Sequence, residues 1–245
     1  MLLVIDIGNT NISCGIFKGN KIVKKFIIPT KDYSFLQMKR SLGKFAIDDC
    51  IICSVVPRLT LALNRDSNRL LKRRPFILGG NIKVPINNLY RKPEQVGGDR
   101  LVNAYAGVML YGAPLIIIDF GTALTFDLVS KNREYLGGLI MPGLEISLDV
   151  LARRTALLPK ITLAEPKELI GRDTENSVLS GIVYGFAGSI EYLVDRLNKK
   201  IGKRAKVIGT GGDIDLISKY CRRFDKIDKD LTLKGLNLIY KCREQ

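Results

Sequence analysis

The sequence predicts an α/β protein made of two similar domains, each a mixed sheet with helices packed on it. Three observations carry that expectation. The segment LVIDIGNTNISCGIF at residues 3–17 recurs as IIIDFGTALTFDLVS at 116–130. An aspartate and a glycine close the first strand of each copy, Asp6 with Gly8 and Asp119 with Gly121, at the same spacing of 113 residues in both cases. After each copy the pattern passes from a hairpin meander to strands alternating with helices, the signature of a mixed sheet covered by helices.

Taken in order, the first strand is the apolar run that ends at Asp6, and the second follows the glycine turn. Gly19-Asn20 then leads into a third strand, KIVKKFII. A helix is expected near 33–42, a strand at 50–56, a helix near 58–72, a short strand at 75–78 and, after a loop, a helix from about 99 to 111. The chain breaks at Tyr111-Gly112-Ala113-Pro114, dividing it into domains 1–112 and 113–245. In the second, KNRE at 131–134 turns into YLGGLIM, and a helix starts near 144. A long helix covers about 174–200, a strand at 205–209 runs into GTGGD, a helix follows from 213, and a last one falls near 231–243.

Composition narrows the function. With 245 residues, 46% of them hydrophobic, the chain can bury a sizeable core. The apolar run from Leu179 to Val194 is short for a membrane span and is broken by glycines, serines, Glu191 and Tyr192. Asp6 interrupts the apolar start too early for a signal peptide. A cytoplasmic protein with no membrane partner is expected. Five cysteines are an odd number and read as reduced thiols; Cys50 and Cys53, three apart on a strand, point to opposite faces, which opposes both chelation and a disulfide. The absence of histidine removes histidine-based nucleophilic catalysis and histidine metal sites, leaving proton transfer to a carboxylate, lysine or tyrosine. The net charge of +15 is spread along the chain without an aromatic-interleaved motif. It reads as a solvated basic surface that favours anionic ligands such as nucleotides, and nucleic acid is not an expected partner.

The duplicated turn has a chemical use. Glycine and small hydroxyl residues let backbone N–H groups approach phosphate oxygens, and a neighbouring aspartate can hold a hydrated cation that neutralises them. One turn from each domain would clamp a nucleotide tail in a cleft between them. No GxxxxGK[ST] is present, and GTGGDI at 209–214 reads equally as a nucleotide-facing helix start or a plain strand-to-helix turn. Gly181, Gly185 and Ser189 put small residues along one helical face, suiting a close domain or dimer contact.

In order and spacing, these motifs resemble those of the type III pantothenate kinases, in the superfamily of actin, the sugar and acetate kinases and the heat-shock ATPases. DIGNTN (6–11) and DFGTALTFD (119–127) match its two phosphate motifs, and YRKPEQVGGDRLVNA (90–104) its substrate segment; GGLIMPG, DTENSVLSGIVYGFAG, GTGGD and DLTLKGL follow. The resemblance implies two ribonuclease-H-like, actin-like ATPase domains and ATP-dependent phosphorylation of pantothenate, the first step of coenzyme A biosynthesis. Carried over by position, Asp6, Ile7, Gly8, Asn9, Thr10, Asn11, Ile12 and Ser13 would bind ATP, with Asp6 at the magnesium-phosphate end and Thr122 also touching ATP. Asp119 would help hold a monovalent cation, potassium or ammonium. Tyr90, Gly97, Gly98, Asp99, Arg100 and Thr174 would line the pantothenate site, with Asp99 as proton acceptor, and the enzyme would be a homodimer whose interface completes that pocket.

From the residues alone, Asp99 suits a helix cap and a general base equally, Arg100 a carboxylate partner or a surface arginine, and Asp127 the polar face of a strand. Two departures stand out: Gly98 replaces the usual alanine, and Arg91 and Lys92 add positive charge after Tyr90. Another small-molecule kinase on the same scaffold, or a transcriptional accessory factor of the same family, are the competing readings.

Overall fold

The computed structural model describes residues 1–243, and each half of the chain builds its own five-stranded sheet. The first comprises β1 (Leu2–Ile7), β2 (Asn11–Lys18), β3 (Lys21–Pro29), β4 (Asp49–Ser54) and β5 (Phe76–Ile77), in the order β3-β2-β1-β4-β5. Helices α1 (Phe35–Leu42) and α2 (Pro57–Leu71) join its later strands, and α3 (Gly98–Tyr111) follows β5. The second comprises β6 (Leu115–Phe120), β7 (Ala123–Val129), β8 (Tyr135–Pro142), β9 (Lys206–Gly211) and β10 (Lys226–Ile227), in the equivalent order β8-β7-β6-β9-β10. Its helices are α4 (Leu144–Arg154), α5 (Thr174–Ile201) and the four-residue α6 (Ile214–Ile217); α7 (Leu231–Cys242) ends the chain.

Why β1 is a central strand follows from its residues. It runs antiparallel to β2 and parallel to β4, so both backbone edges are paired. Leu3, Ile5 and Ile7 pack on one face with Met38, Leu42 and Leu63 of α1 and α2. Leu2 and Val4 pack on the other with Val102 and Tyr105 of α3 and Leu233 and Leu236 of α7. A strand buried on both faces reads as a continuous aliphatic run, and each such side chain contributes about 1.5–3 kcal/mol of burial. The helices carry ordinary end signals. Ser34 caps α1 by accepting from the Gln37 amide, and Pro57 opens α2. Asp173 caps α5 by accepting from the Asn176 amide at 2.7 Å, and Gly202, with φ +68°, ends it.

The duplication is closer than the sequence overlay shows. β2 and β3 slip register between Ile16 and Phe17, and β7 and β8 slip between the equivalent Leu128 and Val129. The amide after the third strand closes on the turn in both: Thr30 N–H donates to Thr10 O at 2.9 Å, and Gly143 N–H donates to Thr122 O at 3.2 Å. The copies differ at the turn itself. Gly8 to Thr10 separate β1 from β2, whereas only Gly121 and Thr122 separate β6 from β7. The constant spacing therefore ends at the glycine, and Thr10 rather than Asn9 is the counterpart of Thr122.

The expected division at 112/113 gives the last helix to the second half, and the structure divides the chain differently. The compact units are Met1–Leu110 together with the stretch from Asp230, and Tyr111–Lys229. The reason is apolar: α7 packs on β1, β2 and β4 and buries Leu233, Leu236 and Ile239. The expected strand at 50–56 stops at Ser54 because Pro57 opens α2, and β9 runs on through Gly211 into the glycine motif. Cys50 and Cys53 fall in core clusters on opposite sheet faces, and the five cysteines are free.

α7 meets α3 through Gly235. A Cβ there would lie 2.7 Å from Val102 Cγ1, 2.9 Å from Val102 O and 2.9 Å from Ala106 Cβ. Overpacking of this kind costs about 1–3 kcal/mol, more than the gain of about 1 kcal/mol in helix propensity from replacing glycine by alanine. Gly235→Ala is expected to lower the urea midpoint of unfolding at unchanged m-value.

Candidate functional site

In the first unit the site begins where the core of β1 stops. Asp6 is the last residue of the face that carries Leu2 and Val4, and it is half-buried. Beyond it the turn folds tightly: Gly8 N–H donates to Asn11 O at 2.9 Å, and the Thr30 hydroxyl donates to Gly8 O at 2.8 Å. A Cβ on Gly8 would sit 3.1 Å from Asn11 O. Asn9, Thr10 and Asn11 are exposed on this turn, Ser13 is half-buried, and Ile7 and Ile12 point into the core. Ile7 and Ile12 thus contribute backbone to any ligand contact, while the exposed polar residues also have side chains to offer.

Strand pairing sets Cys53 of β4 beside Asp6. Its buried thiol hydrogen-bonds Asp6; burial first, and then the charges of Asp6 and Asp99, push its ionisation well above the ordinary thiol range. Cys53 is therefore a neutral donor, and it ties Asp6 and Asp99 into one group. The sequence assigns Cys53 to core packing alone, and nothing in its local pattern reveals this role, which depends on the parallel register of β1 and β4.

Asp99 occupies the first turn of α3, one residue past the helix start, so it is not the residue that caps the helix. Its Oδ1 accepts from the Arg100 amide at 2.9 Å. Burial raises the Asp99 pKa above the usual carboxylate value, against the opposing pull of the Arg100 amide and guanidinium. The two preceding glycines differ in what they permit. A Cβ on Gly97 would lie 2.5 Å from Asp99 Oδ1, whereas one on Gly98 would rest 3.4 Å from Cys53 Sγ, an ordinary contact. An alanine at 98 fits, so the departure at Gly98 leaves the position of Asp99 intact. Arg100 is buried at 9% exposure and is not the surface arginine of the alternative reading. Tyr90 is half-buried on the loop before α3, where its amide donates to Asn88 Oδ1 at 3.0 Å; Arg91 and Lys92 are exposed.

The second unit presents the matching turn. Asp119, next to last in β6, is half-buried, in register with Thr125 on one side and Thr210 on the other. Thr122 is exposed on the turn. Gly143 has to be glycine, since a Cβ would lie 2.4 Å from Thr122 O. The glycines of GTGGD are also structural: Gly211 has φ +95° with a Cβ position 2.5 Å from Phe120 O, and Gly209 makes room for Ile214 and Phe224. Asp213 follows them, and burial, then the charge of Glu145, raises its pKa. Gly143, Glu145 and Asp213 have no assigned role in the sequence reading, because they come together only when β8, β9 and β6 align. Asp127 is fully buried rather than on a solvated strand face, and accepts from the Tyr135 hydroxyl at 2.8 Å and the Thr125 hydroxyl at 3.3 Å. Thr174 is exposed at the first position of α5, and its hydroxyl makes no hydrogen bond among the described residues.

The structure thus groups Asp6 with Gly97, Gly98, Asp99 and Arg100 in the first unit and Asp119 with Thr122 in the second. Half-buried carboxylates beside exposed turns of small residues suit a hydrated divalent ion and the phosphates it accompanies.

The comparisons with known proteins bear on the family and the fold. The profile of type III pantothenate kinases matches residues 2–196. A type III pantothenate kinase of Agathobacter rectalis is 40% identical over 252 residues, covering 98% of this chain and 97% of the relative. One from Geobacillus sp. strain WCH70 is 39% identical over 251 residues, with the same coverage of both. Among solved structures, a Campylobacter jejuni protein described as a Baf family transcriptional activator superposes with a TM-score of 0.64 at 23% identity, covering 99% of this chain and 98% of that one. Component A of the Acidaminococcus fermentans (R)-2-hydroxyglutaryl-CoA dehydratase gives 0.57 at 14% identity, covering 100% and 99%. Those structural likenesses carry the fold, a duplicated actin-like architecture of two mixed five-stranded sheets. With a matching profile over most of its length and relatives near 40% identity from end to end, the chain belongs to the type III pantothenate kinase family.

Proposed function

We infer that the protein transfers the γ-phosphoryl group of ATP to the primary hydroxyl of pantothenate, opening coenzyme A biosynthesis. One observation carries the reading at the level of atoms: a carboxylate of raised proton affinity, Asp99, stands in one group with the phosphate-turn aspartate Asp6. Phosphoryl transfer needs chiefly positioning and charge neutralisation, plus a group that orients the attacking hydroxyl and takes its proton. A carboxylate with raised proton affinity is a better acceptor than an ordinary one. With no histidine in the chain, that part falls in this reading to Asp99.

The remaining roles follow from what each residue offers. Asp6 would hold the divalent ion that accompanies ATP, and that ion supplies charge neutralisation at the phosphates. The residues from Ile7 to Ser13 and Thr122 line the two phosphate turns. Asp119 would hold a monovalent cation, potassium or ammonium. Arg100 would pair with the substrate carboxylate through its planar fork, and Tyr90, Gly97, Gly98 and Thr174 would complete the pantothenate pocket. A homodimer is supported by the outer face of α5: a Cβ on Gly181, Gly185 or Gly188 would meet nothing within 4 Å, and Tyr184 and Tyr192 are exposed nearby. That helix, Thr174–Ile201, is long and apolar enough to cross a bilayer by length and composition. Its opposite face carries Val183, Phe186, Ile190 and Val194 into the core of the second unit, which supports a core helix in a cytoplasmic enzyme.

Asp99→Asn is expected to abolish pantothenate phosphorylation in the presence of ATP, magnesium and potassium while ATP binding, measured calorimetrically, persists. The folded pKa of Asp99 is raised, so at neutral pH the ionised group costs stability, and the cost disappears as pH falls through the raised value. Asp99→Asn should therefore melt no lower than the parent at pH 7. By the same sign, turnover should fall with acidification along a limb centred above about 3.9, the ordinary aspartate value, and Asp99→Asn should leave no limb to measure. Absence of turnover in the parent across a range of pantothenate concentrations would sink the assignment. Gly97→Ala should lower kcat at least about tenfold by displacing the carboxylate, since small misplacements of a reacting group are costly. Gly98→Ala should stay near parental activity.

A further inference from the structure

The second unit contains a cavity of about 660 Å³ that belongs to neither phosphate turn. It opens at the far end of the sheet from Asp119, where β7 ends, β8 begins and α5 terminates. Its floor is aliphatic, formed by Leu128, Leu139, Leu197 and Ile201. Lys131, Lys200 and Lys203 stand around it, and none of the three makes an ion pair or hydrogen bond among the described residues. Among the described residues, no aromatic ring and no carboxylate lines it.

The first half of the same chain shows what this place holds when it is filled. At the shared bulge, Ile16 is opposite Lys24, and in the second copy Leu128 is opposite Gly137. The Lys24 side chain crosses to the C-terminal end of α1, where its Nζ donates to Ser41 O at 2.6 Å beside Gly43, which ends α1 with φ +65°. Its ammonium lies 5.9 Å from the Phe26 ring and 5.8 Å from that of Phe45. The counterpart helix end in the second half is that of α5, closed by Gly202 with φ +68°. There Gly137, with φ +120°, brings no side chain, and the space is open.

We propose that this cavity is a binding site for a single-chain aliphatic carboxylate, whose hydrocarbon body takes the place that the Lys24 stem fills in the first half. The volume lies within the range of about 300–1,000 Å³ typical of small-molecule sites. The aliphatic lining suits a methylene chain and offers no stacking surface to a nucleobase. Three cations without partners and no acid set the sign of the head group. In the first half the filling side chain brings the positive charge; in the second the rim brings it, and the ligand carries the negative one.

Calorimetric titration of the full chain with decanoate, below its micellar concentration, tests this. One decanoate per chain is expected. Replacing two exposed rim cations, Lys200→Gln with Lys203→Gln, should weaken binding about tenfold, and Leu197→Trp, which fills the floor, should abolish it. Decyltrimethylammonium, with the same chain and the opposite charge, should not bind. The proposal is overturned if decanoate gives no heat, if both variants bind like the parent, or if the ammonium binds equally well. Pantothenate turnover in both variants should match the parent, so failure here leaves the kinase reading untouched.

Discussion

The central strand of each sheet is hydrogen-bonded along both edges and buried on both faces, and the two turn aspartates stand where that burial ends. From Leu2 to Ile5, and again from Leu115 to Ile118, no position can hold a charge, because an unpaired buried carboxylate costs several kcal/mol. Asp6 and Asp119 are the first positions where the protein surface is within reach. The backbone then turns at once, on a glycine, so the carboxylate and the exposed amides of the turn share one small region. The fold does not tolerate this aspartate so much as define the single place it can stand.

The two halves show how far such a plan can be copied and where it must differ. Strand order, bulge position and the amide that closes the turn are all retained. What varies is the filling. The first half closes its turn over three residues and braces it with the Thr30 hydroxyl. The second uses two, and brings the backbone of Gly143 so close that no side chain fits. Likewise Lys24 fills a groove that Gly137 leaves open. A duplicated sheet keeps its hydrogen-bonding skeleton because register errors would turn every core residue outward, while side chains at its margins are free to diverge.

Asp99 shows the opposite economy. Its burial is unfavourable for the ionised form, and the Arg100 amide, the Arg100 guanidinium and its own backbone amide moderate that. Cys53 completes the arrangement: a thiol held neutral by burial first and by the carboxylates around it second can donate to Asp6 without adding charge. In the role proposed for Asp99, that burial would spend some folding stability on raising the proton affinity of an acceptor.

Much of this was legible in the residues. The apolar run ending at Asp6, its second copy, the alternation of helices and strands and the missing histidine come from the linear pattern, because strand period, turn chemistry and residue type are local properties. The family resemblance then named Asp99 and Arg100 from the order of motifs. Three things were not legible. The partner of the last helix depends on which apolar surface Leu233, Leu236 and Ile239 find, and that lies more than a hundred residues upstream on α3 and β1. The place of Cys53 depends on the parallel register of β1 and β4, which no local pattern records. The open groove beside Gly137 exists only because a helix end and a strand bulge meet there. The sequence by itself determined the elements, the duplicated turns and the chemical type of the site; tertiary structure alone decided which distant side chains share a dielectric environment, and with it the raised proton affinity of Asp99 and Cys53, since burial is a property of neighbours and not of the residue.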